Sequence, residues 1–217
     1  MLSLALLVPS VTTEAQSLES MKARKALAKE TKSALDARAS RDARKQAKQL
    51  TKDGWLVSPG ALPLEKQLDR VYQMQYEFDE DMYPTYIMGD AQSIGENYDA
   101  AKFQAVELAK LNLATQIESE MTGLIDTEVA NAELSAEEAA SVTKSVGALK
   151  SIMTQKLGRV VTVVECYRKL SNKNTEVRVV IAYNAKKAME QAKNAIREQL
   201  AAEGEELRAK LDKALGF

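Results

Sequence analysis

Apolar positions along this chain recur at two different periods, and the switch between them divides it into helices and strands. Leu64, Leu68, Val71, Tyr72, Gln75 and Phe78 fall at the three-and-four spacing of an amphipathic helix of about four turns, with Pro63 suited to its first turn. Pro84 then precedes a short strand over 85–94, interrupted at Gly89. A much longer helix follows. It is capped by Asn97 or Asp99, runs to about Ala130, and turns Phe103, Val106, Leu113, Ile117, Met121, Leu124 and Ile125 inward. Ser135-Ala-Glu-Glu138 is a capping-box pattern that opens a third helix ending near Leu157-Gly158. There the period falls to two. Residues 159–168 read as a strand rich in β-branched residues, Ser171-Asn-Lys-Asn174 as a turn, and 176–183 as the hairpin partner. A final helix spans 185–215, loosened at Gly204.

The first fifty residues follow neither pattern. Residues 17–50 hold no Gly or Pro and are rich in Ala, Lys and Arg, so propensity alone makes them helical. Leu18, Met21, Leu27, Leu35 and Leu50 are scattered and form no coiled-coil seam, which points to a solvated or weakly docked helical arm. Lys52-Asp53-Gly54 ends that arm, Trp55-Leu-Val57 is a short extended piece, and Pro59-Gly60 breaks the chain again. The expected fold class is α+β, with long helices packed on a small, largely antiparallel sheet and a charged helical arm at the N-terminus. The segments are 1–15, 16–53 (arm), 54–84 (short strand and amphipathic helix) and 85–217 (body).

Charge sharpens that division. The net charge is −1 over 217 residues, but residues 17–53 hold 11 Lys and Arg against five Asp and Glu, a local +6. The residues after the arm carry −6. Lys22, Arg24, Lys25, Lys29, Lys32, Arg38, Arg41, Arg44, Lys45 and Lys48 spread around the helix without interleaved aromatics, so no nucleic-acid-binding face is expected. An anionic envelope surface or an acidic protein is the better partner for it.

The apolar run Leu2-Ser-Leu-Ala-Leu-Leu-Val8 has the length of a signal-peptide core, and Thr13 and Ala15 are small enough for a cleavage site after Ala15. No Lys or Arg precedes the run, which is the departure from the usual signal pattern. The run is too short to span a bilayer, and no later segment approaches the roughly 20 apolar residues that a span needs.

Histidine is absent, which removes the commonest general base, the His-activated nucleophiles and the commonest zinc ligand. Cys166 is the single cysteine and can form no internal disulfide. It is expected to be a buried, inert thiol on one strand face with Val160, Thr162 and Val164. Glu77, Asp79, Glu80 and Asp81 form the densest acidic cluster but lack a calcium-loop pattern, and a solvated loop is expected. Gly89-Asp-Ala-Gln-Ser-Ile-Gly95 lacks the lysine of a phosphate-binding loop and reads as strand-end turns. Five of the seven tyrosines lie between Tyr72 and Tyr98, with Trp55 nearby. They either seal the second helix on the body or face a partner.

Gly89 and Gly95 after the first strand, Ala101, Ala105, Ala109, Leu113-Ala114 and Ile117 on the long helix, and the hairpin carrying Val163-Val-Glu-Cys-Tyr167 and Val177-Arg-Val-Val-Ile-Ala-Tyr183 together make a pattern. In it, residues 85–200 resemble the LPP-twenty family of outer-membrane lipoproteins. The resemblance implies an exported cell-envelope protein with a helix-on-sheet domain and no established catalytic site. No cysteine follows the apolar N-terminal run, so the lipid anchor of that family is not expected, and a soluble periplasmic relative is. The alanines have a physical use of their own: four residues apart, they line one helix face and let it sit close to a sheet.

The expected function is a non-enzymatic envelope protein, structural or interacting with protein or an envelope surface. The alternative is a cytosolic binding module that uses the basic helix on an acidic partner or nucleic acid. No catalytic, cofactor-binding or metal-ligating residue is nominated.

Overall fold

A computed structural model of the chain describes residues 40–79, 82–131, 136–200 and 209. The chain divides into two units, 1–39 and 40–217, and the described residues all belong to the second. The expected signal segment, most of the basic arm, Glu80, Asp81, the Ser135 cap and the last helix beyond Leu200 lie outside the described residues.

The elements are α1 (Arg41–Lys52), α2 (Leu64–Gln75), β1 (Tyr86–Gly95), α3 (Tyr98–Asn131), α4 (Ala136–Lys156), β2 (Val161–Lys169), β3 (Thr175–Asn184) and α5 (Ala185–Leu200). The fold is α+β: among the described residues, five helices pack with a three-stranded antiparallel sheet of order β1-β3-β2. Being central, β3 buries both faces. Val177, Val179, Ile181 and Tyr183 join the main core with α3, α4 and α5. Ala182 points the other way, to Met74 of α2 and Val163.

The seam between β1 and α3 organises the body. Ala101, Ala105 and Ala109 of α3 are fully buried. Opposite them, a side chain on Gly89 would put its Cβ 2.2 Å from the Ala109 carbonyl oxygen, and one on Gly95 would put it 2.7 Å from the Ala101 nitrogen. Small residues on both partners therefore bring helix and strand backbones together. Gly89 is not at a turn, as the sequence suggested. It lies in regular register opposite Ile181, and its role is close approach.

Three further expectations are corrected. Phe103 is 69% exposed; it lies two residues, about 200°, from the buried Ala101, so helical phase overrides bulk. Val160 packs on the main core, whereas Val164 pairs with Val180 and Cys166 with Arg178, on the opposite face. A register shift between Thr162 and Val164 inserts Val163 and breaks the alternation. Phe78 lies beyond the end of α2 and forms a bridge with Pro84. The described end of the arm, α1, docks on α2 through two alanines: Ala43 and Ala47 are buried, Tyr72 donates to Gln46 at 3.0 Å, and the Ser40 amide donates to Asp69 at 2.9 Å.

Both sheet edges are partly covered. On β1, Asn112 donates to the Asp90 carbonyl and Gln116 to the Met88 carbonyl, each at 2.7 Å. Four residues of helix rise about 6 Å and two of strand about 6.7 Å, so the amides step along the edge in register. On β2, the Glu165 amide donates to Gln67 at 2.8 Å, and Leu56 pairs antiparallel with Tyr167. Unsatisfied edge groups are an aggregation hazard, and these side chains and this short strap remove much of it.

Candidate functional site

The densest polar cluster sits where α3 begins. Asn97 caps the helix by accepting from the Ala100 amide at 2.9 Å, which sets Tyr98 and Lys102 one turn apart on the same face. Both reach Glu165 of β2. The Tyr98 hydroxyl donates to the Glu165 carboxylate, Lys102 Nζ donates to the same oxygen at 2.8 Å, and Ser58 Oγ lies 2.9 Å from the Tyr98 hydroxyl. The Tyr98 ring meets Tyr167 edge-on at 5.2 Å, with Lys102 Nζ 5.7 Å from its centroid.

The electrostatics of this cluster favour the protonated forms of Tyr98 and Lys102. Burial, then the bond to Glu165, raises the Tyr98 pKa, and the bond to Glu165 raises that of Lys102. A general base or amine nucleophile needs the opposite shift, toward deprotonation near neutrality. These groups stay protonated and tie three segments together: the strap carrying Ser58, α3 and β2. With the Lys102 side chain 40% exposed, the ion pair itself adds little stability.

A second cluster lies on the same strand. Arg168 Nε donates to Glu176 at 2.7 Å, its guanidinium stacks 4.7 Å from the Trp55 ring centroid, and Nη1 donates to the Asp53 carbonyl at 3.3 Å. Trp55 is 5% exposed, so this arginine seals it against β2.

Cys166 is free and buried. Desolvation pushes its thiol from 9.0 up to about 11, against a smaller opposing pull from Arg178. Native protein is therefore expected to resist a thiol reagent at pH 8 and to label only as it unfolds; rapid stoichiometric labelling of folded protein would contradict this. Raised folded-state pKa values at Cys166, Tyr98 and Lys102 share one sign. The stability they contribute is complete below their unfolded values and is lost as pH rises through the folded ones. For Cys166 that window runs from 9.0 to about 11. Urea midpoints should hold steady through neutrality and fall across this alkaline range, less steeply in Cys166→Ala.

The 89–95 segment forms no phosphate cradle, because α3 backbone fills the space in front of Gly89 and Gly95. In the acidic loop, the Asp79 carboxylate accepts from the Tyr83 amide at 2.9 Å, and the Glu77 carbonyl from the Thr85 amide at 2.9 Å. Among the described residues, no three His, Cys, Asp or Glu side chains gather as metal ligands would. The tyrosines divide: Tyr72, Tyr86 and Tyr98 pack inward, whereas Tyr76 and Tyr83 are 70% and 69% exposed. Of the basic residues on α1, Arg41, Lys45, Lys48 and Lys52 are exposed, and Arg44, beside Ala43, is half-buried. The residues missed from sequence are the amides Gln67, Asn112 and Gln116. For the last two a signal existed, polar amides four apart and flanking the alanine face.

Among the described residues, no helix is long and apolar enough to cross a membrane. Comparisons with protein-family models, curated proteins and solved structures return no match.

Proposed function

We propose that this chain is a non-enzymatic protein of the cell envelope, exported and acting as a structural or interaction module. The observation that carries the reading is the N-terminal Leu2–Val8 apolar run followed by small residues at Thr13 and Ala15. Three features support it. The chain lacks histidine. Its main polar cluster holds Tyr98 and Lys102 in their protonated forms. The body resembles the LPP-twenty pattern in its glycines, alanines and hairpin.

The test is fractionation of a Gram-negative cell expressing the full chain. Recovery in the periplasmic or outer-membrane fraction is expected, and recovery only in the cytosol would sink the reading. The +6 segment at residues 17–53 favours a second reading, a cytosolic module binding an acidic partner or nucleic acid. Salt-sensitive retention on DNA, RNA or an acidic resin, together with a cytosolic location, would select it.

A further inference from the structure

The described residues 40–57 pack on the outside of the body, against α2 and the β2 edge. None of them belongs to the main core. Their attachments are the Ala43 and Ala47 face on α2 with the Tyr72–Gln46 and Ser40–Asp69 bonds beside it, Trp55 beneath Arg168, which also donates to the Asp53 carbonyl, and one antiparallel pair. In that pair Leu56 donates to the Tyr167 carbonyl at 2.7 Å and the Tyr167 amide donates back at 2.8 Å. Glycines in the left-handed region bracket the strap, Gly54 at φ 86° and Gly60 at φ 83°, with Pro59 just before the second. Leu56 itself is 52% exposed. Segments that lie outside the main core, held largely by peripheral hydrogen bonds, open at lower free energy than the core.

Opening would uncover a defined surface. The amide and carbonyl of Tyr167 would face outward from β2 with no strand beside them, and the Arg168 guanidinium would lose the ring it covers. One step along, the Glu165 amide is stoppered by the Gln67 side chain, so the free edge is short and centred on Tyr167. A strand edge of this kind recruits extended peptide through backbone hydrogen bonds, with side-chain contacts setting the choice. The strap demonstrates the fit: an antiparallel residue opposite Tyr167, preceded by an aromatic that slides under Arg168.

We propose that the outer edge of β2 at Tyr167 is a strand-docking site, which residues 40–57 cover in cis as a latch and which, once uncovered, accepts an extended, aromatic-bearing segment of another chain. This goes beyond the envelope reading and stands whether or not the chain is exported. The cis latch has the advantage of high effective concentration, so a trans segment binds well only when the latch is weakened.

The probe is a fluorescein-labelled synthetic peptide of residues 40–60, titrated by anisotropy against the full chain and against full-length Trp55→Ala. Saturable binding to Trp55→Ala, at least tenfold weaker to the unaltered chain, is expected. A peptide carrying Leu56→Pro lacks the donor to Tyr167 and should lose at least tenfold in affinity. Equal affinity for both proteins, no binding to a folded Trp55→Ala chain, or indifference to the proline would overturn the docking site. Native-state hydrogen exchange on the unaltered chain tests the latch even if Trp55→Ala fails to fold. The Leu56 and Tyr167 amides should exchange together at least a hundredfold faster than those of Val179 and Ile181; exchange of all four in one event would overturn it.

Discussion

Gly89→Val should cost about 3 kcal/mol or more, at the upper end of overpacking penalties, lowering the urea midpoint by roughly 1.5 M for an m-value near 2 kcal/mol/M. The cause is local. Even a bare Cβ at this position would lie 2.2 Å from the Ala109 carbonyl oxygen and 3.0 Å from Leu113 Cβ. The nearest obstacle is helix backbone, which cannot swing aside as a side chain tip can. Relief requires α3 to lift from β1, and lifting it breaks the Asn112 and Gln116 bonds to the strand edge. Gly123 is the control, because it lies in the same helix with nothing within 4 Å of an added Cβ. Gly123→Ala should stabilise by about 0.5–1 kcal/mol, through helix propensity and a less flexible unfolded chain. If both alanine substitutions, Gly89→Ala and Gly123→Ala, shifted the midpoint equally, helix and strand would not be in backbone contact at this seam.

Ile117→Ala should cost about 2–5 kcal/mol, the range for truncating a fully buried aliphatic side chain. Ile117 lies in the main core with no exposed surface. Its truncation leaves a cavity that neighbours on a helix and a sheet cannot easily fill. The neighbouring candidate from sequence, Phe103, behaves differently. At 69% exposure, Phe103→Ser should change stability by no more than about 0.5 kcal/mol. Paired thermal or urea unfolding curves check both; a large loss at Phe103 with little at Ile117 would mean that α3 is rotated about its axis, with Phe103 facing the core.

The element order is legible in the sequence because each change of period coincides with a change of structure. The β-branched run beginning near Val160 and its partner ending at Tyr183 form the β2–β3 hairpin, and the alanine ladder identifies the face of α3 that meets the sheet. What escapes depends on geometry that one strand or helix does not contain. The bulge at Val163 arises from how β2 meets β3, so alternation counted from Val160 gives Cys166 the wrong neighbours. The size of Phe103 suggests an inward position, although the alanines two residues away already take the inner face. The docking of α1 is hidden because its contact residues are alanines, which carry little hydrophobic signal. The polar cluster around Glu165 joins Ser58, Tyr98 and Lys102 from three segments far apart in sequence, and no spacing rule brings those together. Trp55 and the tyrosines stand out in the sequence, yet only the tertiary structure separates the sealed residues from exposed Tyr76 and Tyr83.

Among the described residues, the polar contacts that stand out hold the architecture together. Glycines admit a helix, amides cover a strand edge, and protonated Tyr98 and Lys102 hold a carboxylate. The envelope reading therefore rests most heavily on whether the N-terminal segment directs export. N-terminal sequencing of the protein recovered from a Gram-negative cell expressing the full chain tests that directly. A mature terminus at Gln16, following cleavage after Ala15, is the predicted result; protein that retains Met1 and the whole apolar run in the cytosol would contradict it.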